Sequence, residues 1–389
     1  MELLKTEISN VQEGINRLTG TVRYDNGSED EYWFEYPSNI EISDSGNPWL
    51  AALLPMAATI GEDLIINLPV DPRLVDGAGD ILRFWHAFEE MKTSIISIVP
   101  NGGLEVAQEY PGESASFFSS GVDAFYTAYK QPKAKYKILI HGFDLDIKKE
   151  AEFEYHCARI SKLVDQMDNI IIPIKANIRH TRWKETRWQA LSHGAALAGI
   201  GLLFEKQFSE IFVPSSSGVL SDLGIWGSHP LTDPLFSTSR TSIITSGDGV
   251  SRFEKVKYIS QFKLVTDNLH VCVRGKDGSG QDEVNCSHCE KCYRTMIALE
   301  LAGCLEKCDL FDVDKYNYEE IPYMFVTDAF TAPEYHEMAE AAIKKGNHEL
   351  ANGIYKAINR SKWIQRLEIF NNVPILWKIN HNMMQKSIY

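Results

Sequence analysis

Three cysteines at strict spacing, Cys286, Cys289 and Cys292, are the residues whose types and positions point most directly to chemistry. Two residues separate each consecutive pair, and such short knuckles let thiolates converge on one tetrahedral Zn²⁺. A closed site needs a fourth ligand, for which Cys272 is the best candidate and His288, inside the knuckle, is a rival. The pattern predicts a structural zinc site, with an iron–sulfur cluster or simple buried cysteines as alternatives.

A second candidate is the turn Ser119-Ser120-Gly121-Val122-Asp123, which joins a predicted strand at 116–119 to a helix beginning at Asp123. Backbone N–H groups of a small-residue turn at a helix N-terminus can converge on an anion, and the helix dipole favours negative charge there. Asp123 is placed to hold a Mg²⁺ that bridges phosphates. An ordinary strand-to-helix turn with serine caps explains the same spacing about equally well.

The elements that must position these groups are strands alternating with helices of ten or more residues. Strands are predicted at 136–140, 169–175 and 210–214, with helices at 150–168 and 188–204. This order predicts an α/β fold with a doubly wound parallel sheet. Ligands of such sheets bind beyond the carboxyl ends of the strands, so the loops at 119–123, 141–144, 175–184 and 215–218 are expected around one cleft.

The rest of the chain divides into two further regions. Residues 1–110 are predicted to form a small α+β domain of unknown role, with a hairpin around Asp25-Asn26-Gly27. Residues 114–310 carry the turn and the cysteines and form the predicted nucleotide-binding domain with its zinc site. Residues 311–389 are predicted to form a helical C-terminal region, with helices at 334–358 and 362–369.

The turn resembles the Ser-Gly-Gly-x-Asp-Ser loop of the PP-loop ATP pyrophosphatases, the adenylating relatives of GMP synthetase and asparagine synthetase. Ser120 replaces the first glycine of that pattern and Ala124 replaces its final serine. Combined with the cysteine run at 285–295, the turn is similar to the 7-cyano-7-deazaguanine synthase branch of the family. The similarity covers residues 114–303, and the regions on either side have no counterpart in the minimal synthase. A divergent relative is therefore expected.

This resemblance implies an adenine nucleotide alpha hydrolase-like fold with ATP, Mg²⁺ and Zn²⁺ as cofactors. It implies that Asp123 and Ser119 are catalytic and that the turn residues Ser119, Ser120, Gly121, Val122 and Asp123 bind the phosphates. The family reads adenine mainly through backbone groups, a role that would fall to His141, Gly142 and Phe143. The four zinc ligands would be Cys272, Cys286, Cys289 and Cys292.

Three further features lie on the predicted loops. Arg182, in a cationic stretch, is a candidate triphosphate ligand, although such runs are more often solvated helix flanks. His193 opens an apolar helix and is a candidate ligand, although a packed or capping histidine is the commoner case. The polar, proline-rich segment 227–234 is typical of a substrate-binding loop or of a structural turn.

The family's chemistry predicts an ATP-dependent, AMP- and pyrophosphate-forming ligase that activates a small carboxylic acid and then forms an amide or nitrile. Two alternatives remain open. The departures at Ser120 and Ala124 are compatible with a degenerate nucleotide-binding or scaffold protein without turnover. A tRNA-modifying adenylase or thiolase is the other.

Composition restricts the class of protein and of partner. The chain has 389 residues, 44% of them hydrophobic and 24% charged, with a formal net charge of −14. It has no apolar stretch of the ~20 residues that span a bilayer and no signal-peptide pattern at its start, so a cytoplasmic protein with no membrane partner is expected. The acidic balance argues against a nucleic-acid partner. ATP and a small carboxylic acid are the expected partners, and a homo-oligomer is left open.

Overall fold

The structure is a computed structural model, and it describes most of the chain. The described residues are 1–88, 92–106, 112–216, 226–272, 284–326 and 331–368, together with Met383, Met384 and Ser387. The chain divides into two compact units. The sheet unit comprises Met1–Ser119, Thr127–Ser217 and Ile225–Asp248, and the cysteine unit comprises Ser120–Tyr126, Gly218–Gly224 and Gly249–Tyr389.

One mixed sheet organises the sheet unit, and ten strands of the described residues belong to it. The strands are β1 (Glu2–Gln12), β2 (Ile15–Arg23), β3 (Glu29–Pro37), β4 (Leu64–Ile66), β5 (Ile98–Pro100), β6 (Glu113–Phe117), β7 (Tyr136–His141), β8 (Ile170–Ala176), β9 (Phe208–Pro214) and β10 (Ser242–Ser246). Their order across the sheet is β10-β9-β6-β7-β8-β3-β2-β1-β4-β5.

The strands β6 to β10 form the parallel half of this sheet. Counted along the chain, they lie side by side in the order third, second, first, fourth, fifth, which is the doubly wound arrangement. In β8, Ile172, Ile174 and Ala176 are buried, and the residues between them are partly buried. The strands β7 and β8 lie on one side of β6, and the later strands β9 and β10 lie on its other side. The switch point of the sheet is therefore at β6, and the turn after Phe117 follows this strand. The predicted α/β fold with a largely parallel sheet is confirmed.

The first 110 residues do not form a sheet of their own. The predicted hairpin is present, with β2 and β3 antiparallel over their whole length. Strand β3 then pairs with β8 at Phe34↔Ala176 and Glu35↔Lys175. The side chain of Asn177 extends this junction, because it accepts from the Trp33 N–H at 2.8 Å and donates to the Glu31 carbonyl at 2.8 Å. The N-terminal strands therefore continue the sheet of the parallel half.

Four helices of the sheet unit pack with this sheet. They are α1 (Asn47–Ile60), α2 (Pro72–Ala87), α4 (Glu150–Gln166) and α5 (His193–Leu203), while α3 (Val122–Lys130) follows the turn after β6. Helix α5 is preceded by a π-helical turn at Trp188–Ser192, so the helix predicted at 188–204 is divided. Its glycines allow close contact with α1, since a Cβ at Gly199 would lie 2.9 Å from Ala52. Helix α2 begins at Pro72, where the Asp71 side chain accepts from the Arg73 N–H.

The cysteine unit is helical. Its further helices are α6 (Arg252–Ile259), α7 (Lys263–Thr266), α8 (Glu290–Ala302), α9 (Ala332–Lys344) and α10 (His348–Glu368). The helix predicted at 334–358 is broken where Gly346 adopts a left-handed conformation with φ of 77°. Leu269–Cys272 has no regular secondary structure, and part of the predicted loop 215–218 lies outside the described residues. No helix of the described residues has the length and apolar character to cross a membrane.

Candidate functional site

Four cysteines of the cysteine unit converge as the sequence predicted. The Sγ atoms of Cys272, Cys286, Cys289 and Cys292 all lie within 4.8 Å of one another. The Sγ–Sγ distances are 3.8 Å for Cys272–Cys289, 3.8 Å for Cys286–Cys292 and 3.5 Å for Cys289–Cys292. A tetrahedral Zn²⁺ with Zn–S bonds of about 2.3 Å requires S–S edges of about 3.8 Å. The donor set therefore fits a four-thiolate zinc site.

The local sequence shapes this cluster through Asn285 and Ser287. The Asn285 Oδ1 accepts from the backbone N–H groups of Val271 and Cys272, at 2.9 and 3.2 Å. Its Nδ2 donates to the carbonyl of Leu269 at 2.8 Å. Ser287 has a φ of 55°, which bends the knuckle so that Cys289 can follow Cys286 back toward the cluster. Sequence reasoning did not identify Asn285, although its position directly before a ligand cysteine was a signal.

The start of α8 favours the thiolate form of the cysteines there, because the N-terminus of a helix stabilises negative charge. Cys289 is the N-cap of α8, and Cys292 lies in the first turn of this helix. Contacts among the four thiols lower the pKa values of Cys272 and Cys286 and raise those of Cys289 and Cys292, so without a metal the cluster does not hold four thiolates. The thiolate is the form of cysteine that binds metals.

The rival ligand His288 lies apart from this cluster. Its imidazole is exposed, and its Nδ1 is 3.4 Å from a carboxylate oxygen of Glu320. Cys304 and Cys308 are also not members of the group. Burial raises the pKa of the Cys308 thiol to about 12, so this residue packs as a small apolar side chain.

The predicted phosphate-binding turn joins β6 to α3. Ser120 is fully buried and left-handed, with a φ of 58°. This conformation is the one that glycine adopts without cost, and Ser120 stands where the PP-loop pattern has its first glycine. Val122 is buried and begins α3, and the Phe125 N–H donates to the Gly121 carbonyl at 2.9 Å in the first turn of that helix.

Asp123 does not have the surroundings of a magnesium ligand. Its Oδ2 accepts from Arg252 at 2.9 Å and its Oδ1 accepts from Lys255 at 3.0 Å. Burial alone would raise the pKa of this carboxyl, but the charges of Lys255 and Arg252 outweigh it and lower the pKa. Because both oxygens are occupied by cationic donors, the residues present do not fit a Mg²⁺ held by Asp123. Arg252 and Lys255 lie about one turn apart on α6, and their pairing with Asp123 was not recognised from the sequence.

Further buried charges surround α8. Arg294, on α8, lies 2.9 Å from Glu334 and 3.2 Å from Glu290. Tyr335 donates to Glu290 at 2.8 Å. Desolvation would lower the pKa of Arg294, but the two carboxylates raise it well above its ordinary value, so the guanidinium stays charged. The N-terminal part of α8 therefore carries the cysteines Cys289 and Cys292 and also the ion pairs of Arg294.

His141 and Gly142, predicted to contact adenine, end β7 in the sheet unit. The His141 ring is buried and stacked on Phe153, with ring centroids 4.3 Å apart, and its Nε2 lies 3.0 Å from the Asp146 carbonyl. Burial lowers the pKa of this imidazole, which favours its neutral form. Gly142 has a φ of 102°, and a Cβ there would lie 2.0 Å from the Ala176 carbonyl oxygen. Close contact between the ends of β7 and β8 thus requires glycine.

An aromatic cluster near these strand ends includes two of the predicted residues. Trp188 packs edge-on against Phe143, with centroids 4.9 Å apart, and the Arg179 guanidinium lies 4.4 Å from the centre of the Trp188 ring. His193 contacts Trp188 and Trp226, and burial lowers the pKa of its imidazole. The Arg179 guanidinium covers the Trp188 ring and donates to the Phe143 carbonyl, so these groups stabilise one another. The cluster was not predicted as a unit, because its members are far apart in sequence.

Arg182 lies elsewhere in the sheet unit. Its guanidinium covers the Tyr24 ring at 4.6 Å, its backbone N–H donates to Asp30 at 3.0 Å, and its Nε lies 3.2 Å from Glu185. These contacts bind it to the β2–β3 hairpin. The predicted loop 227–234 is an ordered turn over the buried Asp233, which accepts from the Ser228 hydroxyl at 2.6 Å and the His229 N–H at 3.0 Å.

Comparison with known proteins adds no relative. No model of a protein family, no curated protein and no solved structure matches the chain.

Proposed function

We propose that the chain binds ATP through the turn at 119–123 and uses it to activate a small carboxylic acid. The observation that carries this proposal is the set of charges at the start of α3. Arg252 and Lys255 bring two positive charges to Asp123, which supplies one negative charge. The buried carboxylate of Glu334 also acts on Arg252 and Asp123. A phosphate group, which is favoured at a helix N-terminus, would compete with these carboxylates for the two cations.

The proposed reaction has two steps. A carboxylate oxygen of the substrate attacks the α-phosphorus of ATP, and the bond from that phosphorus to the pyrophosphate oxygen breaks. An amine or ammonia then attacks the acyl carbon, AMP leaves with its electron pair, and an amide forms; a nitrile would require a second activation of that amide. The protein mainly positions ATP and stabilises charge on the leaving pyrophosphate.

Magnesium enters this proposal only as the partner of the nucleotide phosphates. Both oxygens of Asp123 accept from cations, so Arg252 and Lys255 take over the neutralising role that the sequence assigned to a metal at this carboxylate. Asp123 then acts as the residue that orients these two cations, and Ser119 remains a proposed phosphate contact.

Calorimetric titration of the zinc-loaded full-length chain with Mg²⁺–ATP and with pyrophosphate tests the phosphate site. The Arg252→Gln variant keeps Asp123 paired with Lys255, and loss of one charge-assisted hydrogen bond is expected to weaken binding about tenfold. Lys257→Gln, on the same helix but exposed and paired with Glu254, is the matched control and should bind like the wild type. Failure of the folded protein to bind either ligand, or equal binding by both variants, would contradict the proposal.

A second candidate function is nucleotide binding without turnover. It is favoured by the closed ion pairs of Asp123, which leave this residue no capacity to bind a metal unless they open. Release of pyrophosphate from ATP in the presence of a panel of small carboxylic acids separates the two candidates. Binding of ATP without any acid-dependent pyrophosphate release would favour the second.

A further inference from the structure

The chain segment that leads to the first zinc ligand also contacts the phosphate-binding turn. The His270 backbone N–H donates to the Ser120 carbonyl at 3.0 Å, two residues before Cys272. Ser120 and His270 both belong to the cysteine unit. The turn is therefore attached to the segment that the metal would hold.

This single hydrogen bond fixes the orientation of a peptide that matters for anion binding. In a trans peptide the carbonyl of one residue and the N–H of the next point in opposite directions. Because the Ser120 carbonyl accepts from the His270 N–H, the N–H of Gly121, at the start of α3, points away from His270. A buried serine with a φ of 58° is also a costly conformation, which persists where neighbouring contacts enforce it.

The contacts that hold His270 in place pass through the cysteine cluster. The segment Leu269–Cys272 is irregular, and the Asn285 side chain binds its backbone at three points, as described above. Asn285 is 3% exposed and directly precedes Cys286, so it joins the segment bearing one ligand to the knuckle bearing the other three. Thiols are weak hydrogen-bonding groups, so a bound metal is the strong connection across this junction.

We infer that zinc at the four cysteines positions the phosphate-binding turn, through Asn285 and the His270 amide, so that loss of the metal opens the turn and weakens anion binding. The zinc then controls the phosphate site as well as local folding. This inference rests on the proposed function only for its second consequence, weaker anion binding. The first consequence, a loosened turn, holds whether or not the turn binds ATP.

Hydrogen–deuterium exchange of the full-length chain measures the first consequence directly. Peptides spanning 118–127 and 284–292 are followed in zinc-loaded protein and after chelation, with zinc content measured in parallel. Chelation is expected to speed exchange in both peptides, by about tenfold or more in 118–127, since a buried hydrogen bond with its supporting contacts is lost. Faster exchange confined to 284–292 would overturn the inference, as would a protein that binds no zinc.

Asn285→Ala and His270→Pro, with His270→Ala as a control, separate loss of the turn's positioning from a general loss of structure. Asn285→Ala keeps all four ligands; it is expected to retain one zinc per chain and still speed exchange in 118–127. His270→Pro removes the amide donor, while His270→Ala keeps it and serves as the matched control. The proline variant should lose protection at 118–127 with zinc retained, and the alanine variant should match the wild type. Equal protection in all three would overturn the inference.

Pyrophosphate titration of the same proteins tests the second consequence. Asn285→Ala with zinc bound is expected to bind pyrophosphate about tenfold more weakly than the wild type. If zinc-loaded wild type binds neither pyrophosphate nor ATP but its turn still loosens on chelation, the coupling stands and the proposed function fails. If binding is strong and indifferent to chelation, the coupling fails and the proposed function stands.

Discussion

Asp123 of the cysteine unit and Asp233 of the sheet unit are surrounded in opposite ways. In the cysteine unit, Asp123 is paired with two cations, which lower the pKa of its carboxyl despite burial. In the sheet unit, Asp233 meets only a hydroxyl and a backbone N–H, and burial raises its pKa to about 7. Glu205, also in the sheet unit, is surrounded by Ser43, Ser45 and Asn47, and burial raises the pKa of its carboxyl too.

This difference indicates that the two units are stabilised by different interactions. The sheet unit has an extensive apolar core beneath its strands, and its buried acids can remain neutral. The cysteine unit contains four clustered thiols and a buried network of opposite charges, which need partners to stay folded. Breaking a buried pair costs more than the pair contributes, because the remaining charge has no counter-ion. Metal and charge changes should therefore act on the cysteine unit, and mild pH changes on the sheet unit.

The largest effect is expected from removing one zinc ligand with Cys292→Ser. Structural zinc contributes on the order of 10 kcal/mol of apparent binding free energy to local folding, so the cysteine unit should unfold while the sheet unit persists. Hydrogen–deuterium exchange resolves the two units in one experiment, and zinc content per chain is measured with it.

Cys304→Ser is the matched control for that experiment. Cys304 belongs to the cysteine unit but not to the four-thiol group, so its replacement should leave zinc content and exchange unchanged. Uniform loss of protection in both units after Cys292→Ser would show that they do not unfold independently, and an unchanged protein would exclude a stabilising metal.

A smaller effect is expected from Asp123→Asn, which removes the carboxylate that pairs with both Lys255 and Arg252. Loss of one partner of a buried pair costs about 3–5 kcal/mol, measured as the free energy of unfolding in urea. The double variant Asp123→Asn with Lys255→Met should recover part of this loss, because the buried ammonium is then gone. Asp267→Asn, whose partner Lys263 is exposed, should cost less than about 1 kcal/mol. Equal losses for Asp123→Asn and Asp267→Asn would contradict the comparison.

Local spacing was sufficient to predict the parts of the site that the chain builds from neighbouring residues. The knuckle Cys286–Cys292 and the strand, turn and helix around Ser120 follow from short-range pattern, and both are present. The parallel strands were also predictable, because buried strands alternating with helices leave few topologies.

Contacts between distant residues could not be predicted in the same way. Asn177 joins β3 to β8 across more than a hundred residues, which made a separate N-terminal domain the natural interpretation of the sequence. Arg252 and Lys255 reach Asp123 from α6, so the sequence suggested a metal where the structure has two cations. Arg182 was placed with the phosphates because its charge was visible and its contact with Tyr24 was not.

The smallest effect concerns the pH dependence of the sheet unit. Because the pKa of Asp233 is raised to about 7 in the folded state, the folded protein holds a proton that the unfolded chain has already lost. Stability from this group is therefore lost as pH rises, by about 3 kcal/mol between pH 4.5 and pH 7. Asp233→Asn removes this loss, since an amide cannot ionise, and its carbonyl can still accept from His229. Its Nδ2 can donate to Ser228, whose hydroxyl then acts as acceptor.

Urea unfolding at pH 4.5, 6 and 7 compares wild type and Asp233→Asn, and the difference between the two cancels titration of other groups. The variant should become progressively more stable than the wild type as pH rises. Asp76→Asn, at an exposed position of α2, is the control and should follow the wild type. A difference that stays constant with pH would mean that Asp233 is ionised in the folded state and that the sheet unit, like the cysteine unit, stabilises a buried charge.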